Sequence, residues 1–247
     1  MPVSTPRTEP AASPFEPAKT PGAIPPLENG DRLSAAEFLR RYKSMPGLKK
    51  AELIDGVVHV PSPVRHQYHG RQHYHLLTAL GCYEAGTPGV EGGDNSTVCL
   101  DLGNVPQPDC LFFIKPDHGG RVTFDAEGYL HGAPDLIAEI AASSVSHDLF
   151  GKLRSYANSG VREYLVWRVL DGALDWFVLR GGEFQPVPPS DDGILRSTIF
   201  PGLWIDPAAL ARGDLAAVLA VVARGLETPE HAAFVAQLEA ARVRPTA

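Results

Sequence analysis

The stretch NVPQPDCLFFI, Asn104–Ile114, sets one carboxylate, Asp109, between a proline-punctuated approach and Cys110–Ile114, a run that reads as a buried β-strand. A second carboxylate interrupts an equally apolar strand in LIAEIAA, where Glu139 lies among Leu136, Ile137, Ile140 and Ala141. An isolated buried carboxylate costs several kcal/mol of desolvation, so two at strand positions call for a cation that keeps them ionised. A divalent ion is the economical partner. Mg²⁺ takes one or two protein carboxylates and leaves its other positions to water and phosphate oxygens, which suits phosphodiester hydrolysis. Pro106 and Pro108 restrict the backbone on the way in and help to fix where Asp109 points.

Outward from these strands, the order of elements is α, ββ, α, βββ, α, ββ and a helical tail. S-A-A-E, Ser34–Glu37, has capping-box spacing before Phe38, Leu39 and Tyr42, so the first helix and the ordered chain are predicted to begin there. AELI and VVHV flank Asp55-Gly56, a type I′ hairpin signal. Apolar spacing predicts a helix from Arg65 to about Glu84, ended by Gly86 and Pro88, then strands at 97–102, 110–114 and 136–141. Leu149, Phe150, Leu153, Tyr156 and Ala157 recur at helical spacing between Ser146 and Gly160. A second hairpin is predicted over 163–169 and 174–179, a strand near 195–199, and helices from Pro207, Asp214 and Pro229. "RGGE" and "HGG" read as glycine turns, because neither has phosphate-loop spacing.

Residues 1–30, rich in proline, alanine and threonine without periodicity, read as a disordered tail, 31–205 as the main domain and 206–247 as a C-terminal helical extension. No apolar run is long enough to span a bilayer, and the N-terminal residues lack the pattern of a secretory signal, so a soluble cytoplasmic protein is expected. Cys82, Cys99 and Cys110 have no metal-binding spacing and read as small core residues. The 22 basic and 29 acidic residues leave a net charge of -7, which opposes sequence-independent polyanion binding except through a local patch.

"AELIDGVV", "QPD", "GAPDLIAEIAASS" and "HDLFGKLRSYANSGVREYLVW" resemble the Uma2 family of restriction-endonuclease-like proteins, also called DUF820, within the PD-(D/E)XK nuclease superfamily. "FPGLWID" and "GLETPEHAAFVAQL" extend the resemblance through the C-terminal helices. It implies an α/β restriction-endonuclease-like core, a central mixed β-sheet flanked by helices. It implies a Mg²⁺-dependent endonuclease, with Mn²⁺ a possible substitute, acting on nucleic acid and on DNA in preference to RNA. Asp109 and Glu139 would be the metal carboxylates, with Glu52 of "ELIDG" completing the shell. The superfamily lysine two residues after the glutamate is replaced by Ala141, and the Uma2-like pattern moves that role to Lys152 on the next helix. A four-carbon stem permits that reach, and the ammonium would orient water and stabilise phosphate charge.

His66, His69 and His73 fall at i, i+3 and i+7 with Arg65 and Arg71 nearby. A transition-metal site, a substrate-facing wall that includes Arg71, and a solvated helix face are all open. One ion shared by all three is disfavoured because i to i+7 spans roughly 10 Å. Ser143 and Ser144 lack a nucleophile-elbow setting and read as helix-entry or hydrogen-bonding residues. Leu210, Leu215, Val218, Leu219 and Val222 either cover the sheet or form a homodimer surface. The rival to the enzyme reading is a catalytically silent, nuclease-like binding module, motivated by the acidic balance and the missing lysine at 141.

Overall fold

The structure is a computed structural model that describes residues 24–61, 63–142 and 145–243. Helix α1 (Ala35–Lys43) opens on the Ser34 N-cap, whose Oγ accepts the Glu37 N–H at 3.3 Å, while the Glu37 carboxylate turns to Arg40 and Arg41 instead of closing the capping box. β1 (Glu52–Ile54) and β2 (Val57–His59) pair around Asp55 and Gly56, whose φ values of 49° and 74° meet the demand of a type I′ turn. A π-helical stretch, His66–Gly70, runs into α2 (Arg71–Ala85). Then come β3 (Val90–Asp94), β4 (Val98–Cys99), β5 (Cys110–Ile114), β6 (Thr123–Phe124), β7 (Leu130–His131) and β8 (Leu136–Ala141). A second π-helical stretch, His147–Lys152, continues as α3 (Leu153–Ser159). β9 (Glu163–Arg168), β10 (Ala173–Arg180), β11 (Glu183–Pro186), β12 (Leu195–Arg196) and β13 (Trp204–Ile205) precede α4 (Pro207–Arg212), α5 (Leu215–Leu226) and α6 (Pro229–Ala241).

Six strands form the central mixed sheet in the order β11-β10-β9-β8-β5-β3. Within this sheet, among the described residues, only β8 and β9 pair in parallel, because the π stretch and α3 carry the chain back to the starting edge between them. Strand alternation then splits the core. Leu136, Ala138 and Ile140 of β8 face a cluster shared with α2, α4, α5 and α6, including Leu76, Leu80, Leu210, Val218 and Val222. Ile137 and Ala141 face the other cluster with Tyr156 and Tyr164. By strand parity Glu139 belongs with Ile137 and Ala141, on the side covered by α3. Leu53, Val58 and Val105 join Phe38 beneath α1 in a third cluster.

The mixed sheet and its flanking helices match the expected class, while several local expectations change. Packing starts earlier than Ser34: Leu27 is buried, and Gly30 N–H bonds Val58 O at 2.8 Å. The expected disordered tail otherwise lies, for residues 1–23, outside the described residues, as do Ser143 and Ser144. The expected 97–102 strand shrinks to β4, and 195–199 to β12. Strand β3 escaped prediction because Gly92 and Gly93 supply no strand-favouring side chain. They admit a close neighbour instead, since a Cβ at Gly92 would stand 2.7 Å from the Phe112 ring. "RGGE" is indeed a turn, but a hairpin turn with Gly181 and Gly182 at φ 60° and 87°, and it launches the unforeseen β11. Leu210, Val218 and Val222 are buried against the sheet, so that face of the C-terminal helices is a cover. Among the described residues all three cysteines are free, and no helix is long and apolar enough to cross a membrane.

Candidate active site

Four elements meet at one end of β8. β1 brings Glu52, the residue before β5 brings Asp109, β8 brings Glu139, and the second π stretch brings Asp148 and Lys152. All five are buried, with relative exposures of 5% for Glu52, 3% for Asp109, Glu139 and Asp148, and 4% for Lys152. π-Helical turns are rare and recur at functional sites; here each of the two delivers side chains to this cluster.

Lys152 Nζ is the hub. It donates to Glu139 Oε1 at 2.9 Å and to Glu52 Oε1 at 3.0 Å, and lies 3.8 Å from Asp148 Oδ1. Tyr156 OH, one turn further along, donates to the same Glu139 oxygen at 2.9 Å, and the Gln107 backbone N–H donates to Glu52 Oε1 at 2.8 Å. Burial opposes the Lys152 charge, but Glu139, Glu52 and Asp148 together hold its pKa well above the ordinary lysine value. Burial likewise pushes Glu139 up to about 8, with Lys152 pulling down and the negative charges of Asp109, Glu52 and Asp148 pushing further up. Glu52 moves the other way, because Lys152, Lys50 and the Gln107 amide outweigh its burial.

Asp109 sits beside this hub in its own cradle. Its Oδ2 accepts the Ile140 N–H at 2.9 Å and His69 Nε2 at 3.0 Å, while Oδ1 accepts Lys50 Nζ at 3.1 Å. Burial alone would raise its pKa, but His69, Lys50 and the Ile140 amide overcome it and hold the carboxyl well below the usual range. His73 Nε2 stands 2.8 Å from the Asp109 carbonyl oxygen and 3.0 Å from Asp94 Oδ1, and its ring meets His69 edge-on.

The structure therefore brings together Asp109, Glu139, Lys152 and Glu52, with His69 and His73 around them. His66 and Arg71 stay apart, both exposed, and Arg71 lies near Gly213 at the head of α5. The wide π turn explains the split, because its bonds run from i to i+5 and residues three apart no longer share a face. Four residues escaped the sequence reading, among them Asp148 on the second π stretch. Lys50, Gln107 and Tyr156 occupy a loop, a strand approach and an apolar helix face, and only the tertiary contacts show their roles. The "KK" preceding "AELIDG" was the one legible signal for Lys50.

Chemically, four carboxylates, Asp109, Glu139, Glu52 and Asp148, surround two ammonium groups, Lys50 and Lys152. Among the described residues no three His, Cys, Asp or Glu side chains converge as a ligand set for one ion. The donor chemistry suits a hard cation held by two carboxylates with the remaining positions left to water, which is how Mg²⁺ is bound in phosphoryl-transfer sites.

Residues 35–210 match the Uma2 family, described as "Putative restriction endonuclease". Among solved structures the chain is similar to "a putative nuclease belonging to DUF820" from Anabaena variabilis, at TM-score 0.53 and 12% identity over 71% of this chain and 97% of that one. At that identity the likeness concerns the fold alone. No curated protein matches the chain.

Proposed function

This chain belongs to the Uma2 family and has a restriction-endonuclease-like fold; from that premise we propose that it is a divalent-cation-dependent endonuclease hydrolysing phosphodiester bonds of nucleic acid, with DNA as the preferred substrate. The observation that carries this reading is the crowding of buried carboxyls: Glu139, Glu52 and Asp148 gather on the one ammonium of Lys152, and burial pushes Glu139 up to about 8, so it holds a proton that a bound divalent cation would displace. Asp109 and Glu139 would hold Mg²⁺, or Mn²⁺ in its place, and Glu52 would support them through Lys152. The bound ion would supply Lewis acidity and an acidified water.

The chain's own residues do the rest. Lys152 keeps its proton at neutral pH, so its part is to orient the attacking water and to stabilise charge developing on the phosphate. His69, Lys50 and the Ile140 amide hold Asp109 ionised and aimed. Tyr156 fixes one Glu139 oxygen and so orients the carboxylate. His66 and Arg71, exposed and set apart from the carboxylate cluster, are proposed to meet substrate phosphates. A homodimer, common where both strands of a duplex are cut, is proposed alongside, and light scattering at micromolar concentration tests it.

The test is cleavage of single-stranded DNA, duplex DNA and RNA with Mg²⁺ or Mn²⁺, with Asp109→Asn and Lys152→Met in parallel. Each substitution is expected to lower the rate by about 100-fold or more. Wild-type rates in both would remove the assigned site. Cation and nucleic-acid binding without cleavage by the unaltered protein would favour the silent binding module instead.

A further inference from the structure

A groove of about 260 Å³ opens between the first π stretch and the β9–β10 turn, lined by Gln67, Tyr68, Arg71, Gln72, Trp167 and Leu170 among others. One wall adjoins the carboxylate cluster. Gln67 and Tyr68 immediately precede His69, which hydrogen-bonds Asp109. The Val169 N–H donates to Ala141 O, so the opposite wall stands at the carboxyl ends of the parallel pair β8 and β9, the usual place for ligands in α/β sheets.

Three features of the groove point to one ligand chemistry. Gln72 is 5% exposed, and its Nε2 donates to Gln67 O at 3.0 Å, which fixes the other amide atom as an acceptor. That acceptor, Oε1, is buried and has no partner among the described residues, so the floor of the groove asks for a hydrogen-bond donor. Tyr68, 44% exposed, offers an aromatic face at the rim. Arg71 supplies a cation, and among the described residues no carboxylate lines the groove; the nearby Asp171 is tied to Arg168. On a chain of net charge -7 a bare phosphate track is unfavourable, and base stacking supplies affinity that does not depend on positive charge. The volume falls just below the roughly 300–1,000 Å³ of drug-sized pockets, which suits a single base.

We propose that this groove is a nucleobase subsite: an unpaired base of a single-stranded DNA segment flanking the cleaved bond stacks on Tyr68, donates from its edge to Gln72, and places its phosphate on Arg71. The proposal rests on the nuclease reading and assigns it a flank of the substrate.

The experiment uses the full chain without divalent cations, so that nothing is cut, and follows the fluorescence anisotropy of three short single-stranded probes of equal length. These are oligodeoxyadenylate, the same oligomer lacking the 6-amino groups, and an abasic backbone. The adenine probe is expected to bind about tenfold more tightly than the abasic one. Tyr68→Ala should erase most of that gap while Tyr68→Phe keeps it, Gln72→Met should erase the preference for the 6-amino group, and Arg71→Ala should weaken all probes alike. Tyr74→Ala, on an exposed ring of the same helix outside the groove, serves as the control and should change nothing. Equal binding of all three probes, unmoved by Tyr68→Ala, overturns the subsite while Asp109-dependent cleavage leaves the nuclease standing. Absence of both binding and cleavage overturns the two together.

Discussion

Two glutamates on neighbouring strands, Glu139 on β8 and Glu163 on β9, are both buried in apolar sequence and live in opposite surroundings. Glu163 is surrounded by neutral donors: the Ser197 hydroxyl at 2.6 Å, the Thr198 amide and hydroxyl at 2.7 and 2.8 Å, and the Ile199 amide at 3.2 Å. Burial raises its pKa, and those donors pull it back. They tie the 197–199 turn to the sheet, and that accounts for the residue. Glu139 shares the single ammonium of Lys152 with Glu52 and Asp148, and has Asp109 nearby. A buried carboxylate is thus no signal by itself. What marks a working site is a carboxylate whose neighbours compete for too few cations.

The sharpest way to break this contrast is to remove the hub. Lys152→Met leaves Glu52 and Glu139 buried without their counter-ion and should cost about 3–5 kcal/mol in chemical denaturation. Adding Glu139→Gln to it should restore part of that loss, because one of the stranded charges disappears. A double variant that regains no more than Glu139→Gln contributes by itself would mean that the charges are not coupled.

The next test sets the two glutamates against each other. Glu139→Gln relieves crowding among carboxylates and should stabilise the fold by about 1 kcal/mol while abolishing cleavage, the trade-off expected where strain serves function. Glu163→Gln replaces two acceptor oxygens by one and turns the other into a donor facing donors, so it should destabilise by about 1–3 kcal/mol and leave the cleavage chemistry intact. Shifts of the same sign in both variants would erase the distinction.

The smallest effect comes from an exposed carboxylate. Glu37 forms hydrogen bonds with Arg40 and Arg41, and these lower its pKa from 4.5 to about 2. A lowered folded value means that its contribution is complete above the unfolded pKa and lost as pH falls through about 2. Melting followed by circular dichroism across that interval should show a shallower acid slope in Glu37→Gln than in the unaltered chain; equal slopes would show that solvent screens the pair completely.

Much of the architecture was legible because it follows from local rules. Ser34, Asp55-Gly56 and the apolar run of β5 announce their elements through capping, turn and burial preferences that act over a few residues. Strand β3 was hidden because its glycines answer to Phe112 across the sheet rather than to their sequence neighbours. At the site, Asp109 and Glu139 stood out as charges in apolar runs, yet Glu163 would have passed the same test. Lys152 was reached only through the family pattern; Lys50 had no mark beyond its pairing with Lys49, and Asp148, Gln107 and Tyr156 had none, since a lysine in a loop or a tyrosine on a helix face is ordinary until its partner is known.

By itself, then, the sequence determined the alternation that sets Glu139 on one face of β8 with Ile137 and Ala141, and Leu136, Ala138 and Ile140 on the other, because side-chain direction in a strand has a period of two. Which helix covers each face came from the tertiary packing. Only the tertiary structure decided which carboxylate receives which cation. Lys152 to Glu52 is a contact across 100 residues and Lys50 to Asp109 one across 59. Such pairings depend on where the hairpin, the sheet and two π turns come to rest, and no periodicity within a segment encodes the distance between segments.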